Sequence, residues 1–275
     1  MKKSTRIIIA YLALGIIAAA VLPVVFFRTA IRIPEANSFL TSVTDTVQLR
    51  PFSFLKFSID TPNQPILVLD LEVVASDSIT APSMSFAGQW NRRASFDYEA
   101  DTLSVSLPDL FELIDRKGNE GKYIKGNIHL NTRLTVPRHM LAGVASENFF
   151  ANLQVLGIDA DSFSLKGIYH IDFMDCDIRN MTVDMQDNVT GNPLRLTDST
   201  IGNLAIAFSE FRTLYVVCDD NSSIGNIDIT ATGESNSLDL TKGTADHVNF
   251  KSLTDSGEVK VFYGPKNGRK PLPTE

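Results

Sequence analysis

Residues 171–183 read Ile-Asp-Phe-Met-Asp-Cys-Asp-Ile-Arg-Asn-Met-Thr-Val, and the same pattern returns at 194–206 as Leu-Arg-Leu-Thr-Asp-Ser-Thr-Ile-Gly-Asn-Leu-Ala-Ile. Further copies begin at Val217 and Leu238 and an earlier one at Leu153, so successive copies start 18, 23, 23 and 21 residues apart. In each copy the first and third positions share a strand face, as do the eleventh and thirteenth, with the eighth between them. Two short strands separated by a bend direct all five side chains to one interior. A unit of about twenty residues is too small for a core of its own and suits one turn of a stacked β-solenoid. Stacking places like over like: Val183, Ile206, Ile229 and Phe250 form one expected column, and Met181, Leu204, Ile227 and Val248 another.

The tenth position carries Asn180, Asn203 and Asn226, preceded by Arg179, Gly202 and Gly225. Asparagine tolerates tight bends, and stacked amides hydrogen-bond from copy to copy, so these three are read as a structural ladder. Cys176 occupies the small-residue slot of Ser199, Ser222 and Gly243. It lies about two copies from Cys218, the other cysteine, which is too far for a disulfide.

Alternation also marks the region before the repeats: Phe52 to Ile59, Ile66 to Val74, Phe96 to Tyr98, Leu103 to Leu107 and Tyr123 to Val136. No stretch from Arg50 to Phe262 has a convincing helical stripe; Asp109–Arg116 comes nearest. The expected organisation is a cytoplasmic stub and transmembrane anchor (1–28), a juxtamembrane linker with a short helix near Ala36 to Val43 (29–50), a β-solenoid domain (51–262) and a flexible tail (263–275).

The leader places Lys2, Lys3 and Arg6 before an uncharged run from Ile7 to Phe27. Twenty-one residues suffice for a span that needs about 20. A cleaved signal peptide is the competing reading, since Ala18, Ala19 and Ala20 are small, but the bulky Val21 to Phe27 stretch favours a retained helix. The basic stub stays cytoplasmic by the positive-inside rule, which puts the domain across a bacterial cell membrane, in the periplasm or outside the cell. Without the three basic leader residues, 22 Lys+Arg face 32 Asp+Glu, a net of about −10. That charge disfavours nucleic acid and anionic lipid as partners.

Val136–Pro137, the segment Leu153 to Lys166 with the copies that follow, and Thr232 to Leu240 resemble the auto-transporter adhesin "head GIN domain" family, common in the Bacteroidetes. The resemblance implies a right-handed parallel β-helix of an envelope or surface protein, over about residues 50–262. The family's small-residue turns are degenerate here, replaced by Leu156-Gly-Ile-Asp159 and Met174-Asp-Cys-Asp177. It supplies no catalytic residue.

A β-helix also suits polysaccharide-active enzymes, so paired carboxylates deserve weighing. The acidic pairs an enzyme could use are Asp159 with Asp161, Asp175 with Asp177 and Asp219 with Asp220, of which Asp175 and Asp177 are also candidate ligand contacts; the competing reading is a solvated bend. Facing pairs would arise from Asp159 lying one column from Asp177. Lys166, Arg179 and Arg195 share no column, which leaves a lyase without its base. Trp90, beside Arg92 and Arg93, either stacks on a sugar or caps the open end of the stack. The four histidines, His129, His139, His170 and His247, are isolated, and no metal or cofactor motif is present. The sequence reading is therefore all-β: a single-stranded right-handed parallel β-helix with an N-terminal transmembrane helix. Its expected role is non-catalytic adhesion, binding or envelope organisation, towards an unknown envelope protein or glycan. The alternatives are a glycan-active β-helix enzyme and an envelope sensor acting through a membrane partner.

Overall fold

A computed structural model of the chain describes residues 31–32, 43–59, 67–87, 94–107, 124–125, 128–147, 150–185 and 192–264. The leader run, the segment around Ala36, Trp90, Asp109–Arg116 and residues 265–275 lie outside the described residues.

Among the described residues every element is a strand: β1 (Ile31–Arg32), β2 (Val43–Gln48), β3 (Phe54–Ile59), β4 (Leu67–Ser76), β5 (Ser83–Ala87), β6 (Ser95–Glu99), β7 (Thr102–Leu107), β8 (Ile124–Lys125), β9 (Ile128–Pro137), β10 (Gly143–Glu147), β11 (Phe150–Leu156), β12 (Asp159–Lys166), β13 (Ile168–Met174), β14 (Asp177–Asp184), β15 (Asn192–Thr197), β16 (Thr200–Phe208), β17 (Thr213–Cys218), β18 (Ser223–Ala231), β19 (Asn236–Lys242), β20 (Ala245–Ser252) and β21 (Val259–Tyr263). No helix among them is long and apolar enough to cross a membrane.

Two parallel-rich sheets hold nearly all of these strands. The nine-stranded sheet has the order β20-β18-β16-β14-β12-β10-β3-β7-β6, and the ten-stranded sheet β2-β5-β9-β4-β11-β13-β15-β17-β19-β21. From β10 onward the chain alternates strictly between them, and from β12 onward each new strand lies parallel beside the one two before it. The apolar side chains of both inner faces merge into one core. Phe163 of β12 meets Phe173 of β13 edge-on across it, ring centres 5.6 Å apart.

Register places Leu153 beside Ile171 and Leu194, and Phe163 beside Met181, Leu204 and Ile227. Three details depart from the sequence reading. The first is the fifth copy, whose Leu238 pairs with Leu214 rather than with Val217. The second is the fourth copy. Leu194 pairs with Val216 and Leu196 with Cys218, so the fourth copy starts at Val216 rather than Val217. Its corner, Asp219-Asp-Asn-Ser222, carries one residue more than the Thr197-Asp-Ser199 corner beside it, because Thr200 still pairs with Ser223. A single extra residue exchanges the faces of a strand, and burial follows the shifted frame: Leu214 and Val216 are inside, Tyr215 is exposed. The third departure is Phe250, which pairs with buried Ile229 as expected but is 46% exposed, since β20 is the last strand of its sheet among the described residues.

The part before β10 is ordered differently. Val43–Gln48, inside the stretch read as a linker, is an antiparallel strand against β5. The β3–β4 pair lies between the β7–β9 layer and the β10–β11 layer, so spatial order departs from chain order here. Strands β2, β5 and β6 run antiparallel to their neighbours.

Candidate functional site

The asparagines that the repeat singled out lie inside β14, β16 and β18 rather than at tight bends, and none has a left-handed backbone. Asn203 Nδ2 donates to Asn180 Oδ1 at 2.9 Å, Asn226 Nδ2 donates to Asn203 Oδ1 at 2.8 Å, and Asn180 Nδ2 donates to the Asp161 carbonyl at 3.1 Å. His247 follows Asn226 in register. Glycine is required just before two of these asparagines: a Cβ on Gly202 would lie 2.7 Å from the Arg179 carbonyl oxygen, and one on Gly225 2.6 Å from that of Gly202.

Asp175 is exposed and has a left-handed backbone, φ 52°, like Asp198 (48°) and Gly157 (77°) at the neighbouring corners. Its place is that of a corner residue, where a short polar side chain tolerates this backbone. Asp177 is exposed and sits directly beside Asp159, in the same column rather than one column off. The buried small-residue slot forms a chain of hydrogen bonds: the Cys176 amide donates to Ser199 Oγ at 3.1 Å, and the Ser199 amide to Ser222 Oγ at 3.0 Å. Ser222 Oγ in turn donates to Asp219, which lowers that carboxyl below its ordinary range. Burial raises the thiols of Cys176 and Cys218, both free, so neither is a ready nucleophile.

A different group of side chains lines an open hollow of about 730 Å³ on the outer face of the ten-stranded sheet. It arises from register. Asn131, Asp70, Asn152 and His170 stand in one row across β9, β4, β11 and β13. Two residues further along the strands, Arg133, Glu72, Gln154, Asp172 and Arg195 form a second row that reaches β15. All nine point away from the core because their neighbours in each strand, such as Leu71, Leu153 and Ile171, point into it.

The rows are cross-linked. Asp70 accepts from Asn152 Nδ2 at 2.7 Å and has His129 Nδ1 at 2.7 Å from its other oxygen. Arg133 Nε lies 3.2 Å from Glu72. Arg195 Nη1 is 2.9 Å from His170 Nε2, which is also 3.2 Å from Asp172 Oδ1. One imidazole nitrogen either accepts or donates, so Nε2 serves the arginine or the aspartate but not both. Beside the first row lie Val68, Phe150 and Tyr169, the last two rings 5.8 Å apart and edge to face.

The sequence reading placed ligand contacts at Trp90, Asp175 and Asp177. Trp90 lies outside the described residues, and the two aspartates are not among the residues lining this hollow. A signal for part of it was present: Gln154, Asp172 and Arg195 occupy the second slot of three successive copies, a column of polar side chains on the outer face. Glu72 and Arg133 precede the repeats and join that column only through the non-sequential stacking of β9 and β4.

No protein-family model and no curated protein matches the chain. Among solved structures it is similar to a "putative adhesin" from Bacteroides fragilis, at 12% identity and a TM-score of 0.42, covering 79% of this chain and 96% of that one. It is also similar to a "putative adhesin" from Parabacteroides merdae (12%, TM-score 0.36, 81% and 96% covered) and a "putative lipid binding protein" from Parabacteroides distasonis (10%, 0.38, 80% and 93%). Likenesses this distant carry no argument about the present chain.

Proposed function

We propose that this chain is a membrane-anchored, extracytoplasmic binding protein without catalytic activity, held by residues 7–27 and built as a right-handed parallel β-solenoid. The hollow on the ten-stranded sheet is its binding face. The observation that carries the reading is the convergence of nine polar side chains from five adjacent strands on one outer face. Two features support the solenoid: the strict alternation of strands between two sheets and the parallel register of successive copies. The uncharged Ile7–Phe27 run supports the anchor.

Two measurements test this. Full-length protein in its host should remain in the membrane fraction, with the domain digested only when protease reaches the far side; a mature chain beginning near residue 21 or later removes the anchor. Purified full chain in detergent should sediment with isolated envelope material, and Gln154→Ala with Arg195→Ala should weaken this about tenfold. Release of reducing or unsaturated ends from polysaccharide, abolished by Asp175→Asn with Asp177→Asn, would replace binding by catalysis.

A further inference from the structure

The two polar rows offer donors and acceptors in near balance, three carboxylates against two guanidiniums, with three amides and the His170 imidazole between them and His129 bonded to Asp70 beside them. A strongly anionic ligand would meet Asp70, Glu72 and Asp172, and a cationic one Arg133 and Arg195. The ligand that satisfies both sets is uncharged and carries many groups that each donate and accept. Hydroxyls have that property, and a hydroxyl placed between Arg195, His170 and Asp172 would relieve the competition for Nε2.

Geometry limits the class further. The second row spans four strand intervals, about 19 Å at 4.7–4.9 Å each, so it is matched to a chain rather than to a single small ring. The backbone groups of these central strands are engaged with their sheet neighbours, so an extended peptide would find no edge to pair with. Phe150 and Tyr169 flank the first row with the apolar surface on which the C–H face of a sugar stacks.

We propose that this face binds a neutral oligosaccharide, lying across the strands of β9, β4, β11, β13 and β15 along the two polar rows, with Phe150 and Tyr169 at its side. This rests on the binding role proposed above and names its ligand class.

The test uses full-length protein in a detergent without a sugar headgroup, titrated by calorimetry with hexasaccharides of the neutral glucan, mannan and xylan series and with uronate hexasaccharides. At least one neutral series should bind, and at least tenfold more tightly than the uronates. Asn152→Ala with Gln154→Ala should weaken it at least tenfold while the unfolding midpoint stays near that of the wild type; Phe150→Ala should weaken it severalfold; Asp177→Ala, outside the face, should leave it unchanged. The milder Gln154→Glu keeps the size of the side chain and should also weaken it, which separates recognition from folding. Uronates binding as well as or better than neutral chains overturns the proposal, as does neutral-chain binding indifferent to the Asn152, Gln154 and Phe150 variants. Envelope sedimentation that still depends on Gln154 and Arg195, with no neutral hexasaccharide bound, overturns the glycan and leaves the binding role. Loss of that dependence overturns the binding role itself.

Discussion

The two ends of this molecule are made from the same alternation of apolar and polar residues, yet one is closed by antiparallel strands and the other, among the described residues, is left open. At the end formed by β2, β5, β6 and β7, the outermost strands β2, β5 and β6 run antiparallel to their neighbours. Phe86 of the ten-stranded sheet meets Phe96 of the nine-stranded sheet edge to face at 5.8 Å. The Arg50 amide donates to the Tyr98 hydroxyl at 3.0 Å, with the guanidinium 4.1 Å from the ring centre. At the other end β20 and β21 are the last parallel strands, and Phe250 and Tyr263, each in register with a buried neighbour, are about half exposed. Burial of a side chain here depends less on the position's pattern than on whether another layer follows it. Parallel stacking carries the same pattern from one strand to the next, whereas a change of strand direction interrupts it.

That contrast can be broken most severely in the middle. Ile206→Asp would leave an unpaired carboxylate between Val183 and Ile229 and should cost about 5 kcal/mol or more in chemical denaturation. Ala205→Asp, one residue away on the exposed face, should change stability by no more than about 0.5 kcal/mol. Equal effects would remove the two-faced strand assignment.

At the closed end, Phe86 of β5 is buried, and Phe86→Ala should cost about 3–5 kcal/mol. The matching truncation at the open end, Phe250→Ala, should cost less than about 1 kcal/mol, because much of the ring is already in water. A large loss at Phe250 in the full chain would mean that something covers this end in solution.

Between these lies the amide ladder. Asn203→Ala removes the bonds to both Asn180 and Asn226 and should cost about 1–2 kcal/mol, whereas Asn180→Ala, at the exposed start, should cost less. Comparable losses at both positions would argue against coupling along the ladder.

The smallest effect concerns the corner with the extra residue. Because the Ser222 hydroxyl holds the folded Asp219 carboxyl below its unfolded value, its contribution is present above the ordinary carboxylate range and is lost as pH falls through the folded value. Thermal melts of wild type and Asp219→Asn should therefore differ by a constant amount at neutral pH and converge on acidification. A gap that widens in acid would reverse the sign.

Which parts were legible follows from the same contrast. Residues 153–183 and 194–206 could be aligned by eye, and their registers could be written from the apolar columns. The fourth copy slipped by one because Val216 and Val217 are adjacent and equally apolar, so alternation there did not choose between the frames. The corner decides it: an extra residue among Asp219, Asp220 and Asn221 is accommodated only once Ser223 is seen beside Thr200. Strand β5 went unread, and β2 was taken for linker, since five or six residues of mixed polarity gain their strand character from pairing with each other and with β9.

By itself, then, the sequence determined the all-β character, the alternating faces from Leu153 onward, the amide column and the small-residue corners. Each of these is a local periodicity that nearest-neighbour physics imposes on any strand. Tertiary structure alone decided that β9 and β4 stand beside β11, where Glu72 and Arg133 join Gln154, Asp172 and Arg195 in one row. Residues from 72 to 195 meet there by stacking order, and stacking order is a global choice among strand pairings of similar local energy. No window of sequence contains the comparison that makes it.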